Sequence, residues 1–385
     1  MNGYDSCGTF REACDFYLAR LLDVGKIPRG DIEEGMAFFD DLYNNPGNSE
    51  ITVYPLSKHR SCFMTRTAID ALNRVQDVRG GQASNQIVLE SLPECLPKKP
   101  YYVLSSTASG ETNVVIDGLN RLKESGNADA HLLLLIGEKN STVYRIAEEI
   151  ADNNGNVAII HYESSSKLND TGSEFDSLGS VFEQQIQTIL TGTGCGGMHD
   201  DYSSYTEVMN KFASDITELK GIDNTPLENM INSYSDALGK KRKIYVGGEG
   251  PTLWLVNALQ RRMNHIGMDA EVVNGKDEYD VGGAYIPFTG SGMKYHEGAA
   301  GVASVHPVVP DCVEIHSIRN ITSSDNILKI PFGDNSDHLD YVPPALGYWY
   351  KAHLLNDAAL ATAQREHKIK NDALRSRHEK DSRLL

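Results

Sequence analysis

Residues 103–119, VLSSTASGETNVVIDGL, place small and hydroxylated side chains between an apolar strand-like run and a helical pattern. Backbone N–H groups at a helix start, with the positive end of the helix dipole, bind an anion without any lysine. Ser105, Ser106, Thr107, Ser109 and Thr112 add hydroxyl donors, and Gly110 lets an oxyanion approach the backbone closely. The chemistry this suits is the grip on a phosphoryl group. Two further residues have the types needed for proton transfer. Glu183 lies on a helical segment beside Val181, Phe182 and Ile186, an apolar setting that suits a general base near neutrality. His265, near the end of another helix, could shuttle a proton between oxygens. Arg60 could pair with phosphate or with a developing oxyanion, with Ser61 beside it.

The elements that must position these residues alternate along the chain. Two helices are expected before residue 48, the second following Pro28. ITVYPL, YYVLSS, HLLLLIG and NVAIIHY then read as strands, separated by the helical segments RSCFMTRTAIDALNRV, TNVVIDGLNRLKESG and STVYRIAEEIAD. Strands apolar throughout, alternating with amphipathic helices, imply a parallel sheet covered on both faces. The order recurs downstream. YTEVMNKFASDITELKG and PLENMINSYSDALG are helical, followed by KIYVGG (strand), TLWLVNALQRRMNHIG (helix), GGAYIPFTGSG (strand and loop), CVEIHSI (strand) and HLLNDAALATAQ (helix). A repeat near 190 residues is a duplicated domain. The division expected is 1–200, a helical arm and the first unit, and 201–385, linker helices, the second unit and a charged C-terminal helix.

Composition narrows the partners. With 53 acidic and 36 basic residues in 385, the formal charge is −17 and no Lys/Arg stripe dominates, which argues against nucleic acid and anionic membrane. No apolar run approaches the ~20 residues of a membrane span, and the first residues carry acids where a secretory signal needs an apolar core. A cytoplasmic setting is expected. Six scattered cysteines without C-x-x-C spacing read as reduced thiols, and no metal site is expected. GGEGP is not a dinucleotide loop, since Leu253 stands where the third glycine belongs.

The string TASGET between strand and helix resembles the phosphosugar loop of the sugar-isomerase (SIS) domain family, and STVYRIAEEIAD resembles that family's downstream helix. In the second half, VGGEGPTLWLVNAL resembles the family's opening glycine loop, with Gly248 and Gly250, and PFTGSGMKY its serine loop, with Thr289 and Ser291. The likeness covers roughly residues 51–200 and 243–360. It implies two flavodoxin-like domains, each a five-stranded parallel sheet flanked by helices and related by a pseudo-two-fold axis. It also implies a phosphorylated-sugar ligand, no cofactor and a homodimer or higher homo-oligomer.

Within the family the chain looks most like 6-phospho-3-hexuloisomerases. LGSVFEQQIQTIL resembles the helix carrying their proposed catalytic glutamate, here Glu183, and MNHIG resembles the segment with their proposed catalytic histidine, here His265. The departures are complementary. The first half has NRVQDV where the histidine would fall, and the second has Lys351 where the glutamate would fall. SKHRSC replaces the first glycine loop, keeping Arg60 and Ser61, and Pro251 replaces the arginine of the second. Sites in this family lie where two domains meet. The resemblance therefore implies one complete site, with the loop and Glu183 from the first half and His265 from the second. The function implied is metal-independent aldose–ketose or ketose–ketose isomerisation of a sugar phosphate through an enediolate. A phosphoglucose/phosphomannose or amino-sugar phosphate isomerase is an alternative within enzymes, and a non-catalytic sugar-phosphate-binding regulator is one outside them.

Overall fold

The computed structural model describes residues 6–44, 50–58, 60–78, 86–97, 100–125, 130–154, 156–162, 180–248, 252–273, 282–289, 302–311, 324–331 and 344–367. Helices α1 (Ser6–Val24) and α2 (Arg29–Asn44) precede the first sheet. That sheet contains β1 (Glu50–Leu56), β2 (Gln86–Leu89), β3 (Tyr101–Thr107), β4 (Ala130–Ile136) and β5 (Val157–His161). They pair in the order β2-β1-β3-β4-β5, every pair parallel. Helix α3 (Arg60–Val78) follows β1, α4 (Asn113–Ser125) follows β3, α5 (Thr142–Asn154) follows β4 and α6 (Ser180–His199) follows β5.

Two linking helices, α7 (Tyr202–Leu219) and α8 (Asn224–Lys240), lead into the second unit. It comprises β6 (Lys243–Gly248), α9 (Thr252–His265), β7 (Asp269–Val273), β8 (Ala284–Phe288), β9 (Ser304–Val305), β10 (Val308–Pro310), β11 (Leu328–Ile330) and α10 (Pro344–Glu366). The second sheet runs β11-β10-β8-β6-β7, also parallel, and this is the first sheet's order with the same connectivity. The two-residue β9 is not an independent sixth strand. It pairs β8 at Ala284↔Ser304 and β10 pairs β8 at Val308↔Phe288, one constant register broken only at His306 and Pro307. Each half is thus a five-stranded parallel sheet, as the duplication predicts. The expected strand in CVEIHSI and the expected helix beyond residue 367 lie outside the described residues.

Alternation within the strands sends side chains to two different cores. Tyr101 and Val103 of β3 join Val115, Leu119, Ile146 and Ala147 of α4 and α5 on the outer face. Tyr102 and Leu104 join a far larger cluster that runs without a break through α1, α2, α3, α6, α7, α8, α9 and α10. One core therefore spans both halves. Helix α6 is buried on every side from residue 184 to 197, and its glycines permit this. A Cβ at Gly194 would lie 2.4 Å from Leu72 Cδ1 of α3, and one at Gly197 would lie 2.4 Å from the Met36 carbonyl oxygen of α2.

The leading helices are exchanged. Helix α1, first in the chain, packs on α10, α7 and α8 of the second half, while α7 packs on α6 of the first. Glu12 of α1 pairs with Arg365 of α10 at 2.7 Å, and Asp15 pairs with Lys220 just past α7. A cut at residue 200 would part each half from a helix on which it packs.

His306 illustrates how tightly the second half is closed. Its ring Nε2 lies 2.7 Å from Ser233 Oγ of α8, and burial pushes its pKa down from 6.5 to about 4. The folded state keeps the imidazole neutral, so its contribution is complete above pH 6.5 and is lost as pH falls toward 4. Relative to pH 7, this group should lower stability by about 2 kcal/mol at pH 5. Urea unfolding of the wild type and His306→Gln at both pH values measures it. The variant should show a pH dependence smaller by that amount.

Candidate functional site

In an open parallel sheet a ligand sits beyond the carboxyl ends of the strands, where the strand order reverses. For the first sheet that point is between β1 and β3. The chain there is Ser57 and Lys58 from β1 and residues 107–112 from β3, the hydroxyl-rich loop singled out from sequence.

The loop is built by its own hydroxyls. Thr107 Oγ1 accepts from the Gly110 N–H at 3.1 Å and lies 3.0 Å from Thr112 Oγ1, while Ser109 Oγ accepts from the Glu111 N–H at 3.2 Å. Gly110 takes φ +67°, a left-handed conformation in which a Cβ is strained. A Cβ there would also fall 2.0 Å from Ser141 Oγ. This close approach locks the loop to the start of α5. The Gly110 carbonyl accepts from Val143 N–H at 3.0 Å, and Glu111 Oε1 accepts from Thr142 N–H at 2.8 Å. Among the described residues, the N–H groups of Thr112, Asn113 and Val114 have no partner. These three donors open the 13-residue α4. With the Ser109 hydroxyl proton they make a cradle of donors of the kind that can hold an anion.

Ser105 has a different place. Its hydroxyl donates to the Leu56 carbonyl at 3.0 Å on the outer face, so it ties β3 to β1 and has no proton left for a ligand. Ser61 is buried in the first turn of α3, where its carbonyl accepts from Thr65 Oγ1 at 2.9 Å. Arg60 opens α3, Glu183 stands in the first turn of α6 and His265 closes α9, but their side chains lie outside the described residues. Gly250 and Ser291 lie outside them altogether. Gly248 ends β6, where a Cβ would meet Thr252 Oγ1 of α9 at 2.8 Å. Thr289, just past β8, donates its N–H to the Val308 carbonyl at 3.2 Å.

Ser57 was missed as a site candidate, and Ser106, named among the loop hydroxyls, has a place beside it that the sequence did not show. The hydroxyls of Ser57 and Ser106 are buried and have no hydrogen-bond partner. The register Leu56↔Ser105, carried one residue further, sets them side by side at the switch point. Both fall on the central face, with Val53, Tyr102 and Leu104. Ser106 is 2% exposed. A hydroxyl hidden from water without a partner is costly to the fold, and a polar ligand arriving at this edge would relieve it. The signal in the sequence is a second serine in a strand otherwise buried throughout.

Lys351, which stands in the second half where the resemblance would place a glutamate, is 1% exposed and committed to the fold. Its ammonium donates to the Pro331 carbonyl at 2.8 Å, lies 3.1 Å from Asp215 and pairs with Glu218, both of α7. Burial raises the pKa of Asp215 despite this lysine and Lys211 beside it. These groups are a structural knot between α7 and α10.

No family model matches the sequence, and no curated protein matches it. Solved structures do match in fold, over both halves at once. Tagatose-6-phosphate ketose/aldose isomerase from Escherichia coli superposes with a TM-score of 0.56 at 10% identity, covering 95% of this chain and 94% of its own. The C-terminal domain of glucosamine-fructose-6-phosphate aminotransferase from Francisella tularensis gives 0.52 at 10% identity, covering 94% and 98%. A provisionally assigned phosphosugar isomerase from Silicibacter pomeroyi gives 0.55 at 10% identity, covering 94% and 99%.

Proposed function

We propose that this chain, which has the tandem SIS-domain fold, is a sugar-phosphate isomerase with a single composite site. The observation that carries the reading is the cradle at the first switch point: three open N–H groups, the Ser109 hydroxyl, and the orphaned hydroxyls of Ser57 and Ser106 beside them. The phosphoryl group sits on the cradle, and its binding holds the distant carbons in place. Glu183 removes the proton from carbon and returns it to the neighbouring carbon. The enediolate between these steps is held by hydrogen bonds, and His265 moves the proton between the two oxygens. Arg60 and Ser61 flank the phosphate. The likeness in fold to proteins of this activity lends support.

Incubation with a panel of ketose and aldose phosphates in deuterated water tests the reading. Solvent deuterium should enter the carbon skeleton of at least one sugar phosphate. Saturable binding with no exchange across the panel would instead identify a sugar-phosphate-binding regulator, consistent with the replacement of the second glutamate by a locked lysine.

Ser106→Ala separates a ligand contact from a fold contact. Deleting an orphaned buried hydroxyl should leave thermal stability unchanged or raise it, because no bond is lost. Losing one neutral hydrogen bond to a sugar hydroxyl, worth about 1 kcal/mol, should raise KM roughly fivefold. An unchanged KM would remove Ser106 from the site.

A further inference from the structure

Where the two halves meet, a carboxylate with no exposure to water holds three helices together. Asp357 of α10 lies with Oδ1 2.9 Å from Arg262 Nε of α9, and its Oδ2 accepts from Gln184 Nε2 of α6 at 3.2 Å. His353, one turn earlier on α10, stands 3.5 Å from the same Oδ2. All four side chains are 5% exposed or less, and Arg262 is the largest fully buried side chain in the molecule's described part. Replacing such a pair by apolar residues is often neutral or stabilising, so stability alone does not explain why charges occupy this core. Arg262 Nε, Asp357 Oδ1 and both ring nitrogens of His353 are buried without a well-directed hydrogen bond. The ion pair and the Gln184 bond are therefore the ties here, and in a medium of low dielectric such ties restrict how the elements they join can be arranged.

The elements joined here carry the proposed proton-transfer residues. Gln184 is next in chain to Glu183, and Arg262 is three residues, less than one helical turn, before His265. The two halves supply one each. We propose that Asp357 is a positioning residue: by holding Gln184 and Arg262 at once, it fixes the separation of helix positions 183 and 265 across the pseudo-two-fold interface. Its role rests on the isomerase reading above, because without turnover there is no geometry for it to serve. A displacement of about 1 Å can cost a hundredfold in rate, so a tie of this kind acts on turnover more than on affinity.

Two variants of the full chain test it, each paired with the wild type. Asp357→Asn removes the charge facing Arg262, and Gln184→Met removes only the link to α6. Both should lower kcat at least ~10-fold with KM and the affinity for inorganic phosphate within about threefold, since the cradle on β3 and α4 is untouched. Hydrogen exchange should show α6 and α9 losing protection together in Asp357→Asn, and α6 alone in Gln184→Met. If Asp357→Asn does not fold, Gln184→Met decides. Wild-type turnover with kcat retained in the variants overturns the positioning role and leaves the isomerase reading standing. No deuterium incorporation by the wild type overturns that reading, and this role with it.

Discussion

Glu183→Gln is expected to lower turnover of the best sugar phosphate by roughly a thousandfold while leaving its affinity within a few-fold. Removing a general base costs typically 10²–10⁴ in rate, and the amide keeps the size and shape of the carboxylate. His265→Ala should lower turnover to a similar extent. The two losses should not multiply, because groups that act in one proton-transfer sequence fail as a unit. Deuterium incorporation and steady-state rates, measured on both single variants and the double, check this. A companion substitution makes the result specific. Lys351→Met, in the second half, alters a residue tied to Asp215, Glu218 and Pro331, so its effect should fall on stability, with kcat per folded molecule retained. Full turnover in Glu183→Gln would end the assignment of the base.

Gly110→Ala is expected to abolish phosphate binding by dismantling the cradle. The residue sits at φ +67°, and the added Cβ would lie 2.0 Å from Ser141 Oγ and 2.2 Å from Ser141 Cβ. The left-handed conformation costs an L-residue about 1 kcal/mol or more, and overpacking at a rigid contact adds about 1–3 kcal/mol. The loop can escape only by leaving α5, which breaks the Gly110–Val143 and Glu111–Thr142 bonds that hold it. Removing the obstacle tests the cause. Gly110→Ala with Ser141→Gly should recover part of the binding, in proportion to the steric share, although Ser141→Gly alone is mildly destabilising because Ser141 Oγ donates to the Glu138 carbonyl. Isothermal titration with inorganic phosphate and a sugar phosphate measures both variants. No recovery would place the whole defect in the backbone conformation.

The sequence was most informative where burial is uniform. Strands such as Tyr101–Thr107 and Ala130–Ile136 are covered on both faces and read as continuous apolar runs. Strands β2, β7, β10 and β11 escaped notice because each is five residues or fewer and three include a charged or amide side chain at a sheet edge or end. The hydroxyl-rich turn between β3 and α4 was legible because a helix start and a strand end leave local marks in composition. The adjacency of the Ser57 and Ser106 hydroxyls was not, since it comes from the pairing of two strands 49 positions apart in register. The charged core around Asp357 was hidden more deeply. His353, Asn356 and Asp357 look like the wet face of an amphipathic helix, yet every side chain described on α10 from 348 to 364 is buried. Two halves that fold around each other bury helix faces that either half alone would leave to solvent.

The exchange of α1 and α7 between the halves changes the arithmetic of assembly. A site shared by separate subunits exists only as far as mass action permits, and dilution empties it. Here the neighbour is tethered and interlocked, so its effective concentration is set by the chain and not by the solution. The tether also ends the rule that binds a symmetric dimer, in which one altered codon changes both sites together. Position 183 and position 351 are written separately in this chain, so the two interfaces are free to diverge, and at 351 the side chain is given over to holding α10 to α7.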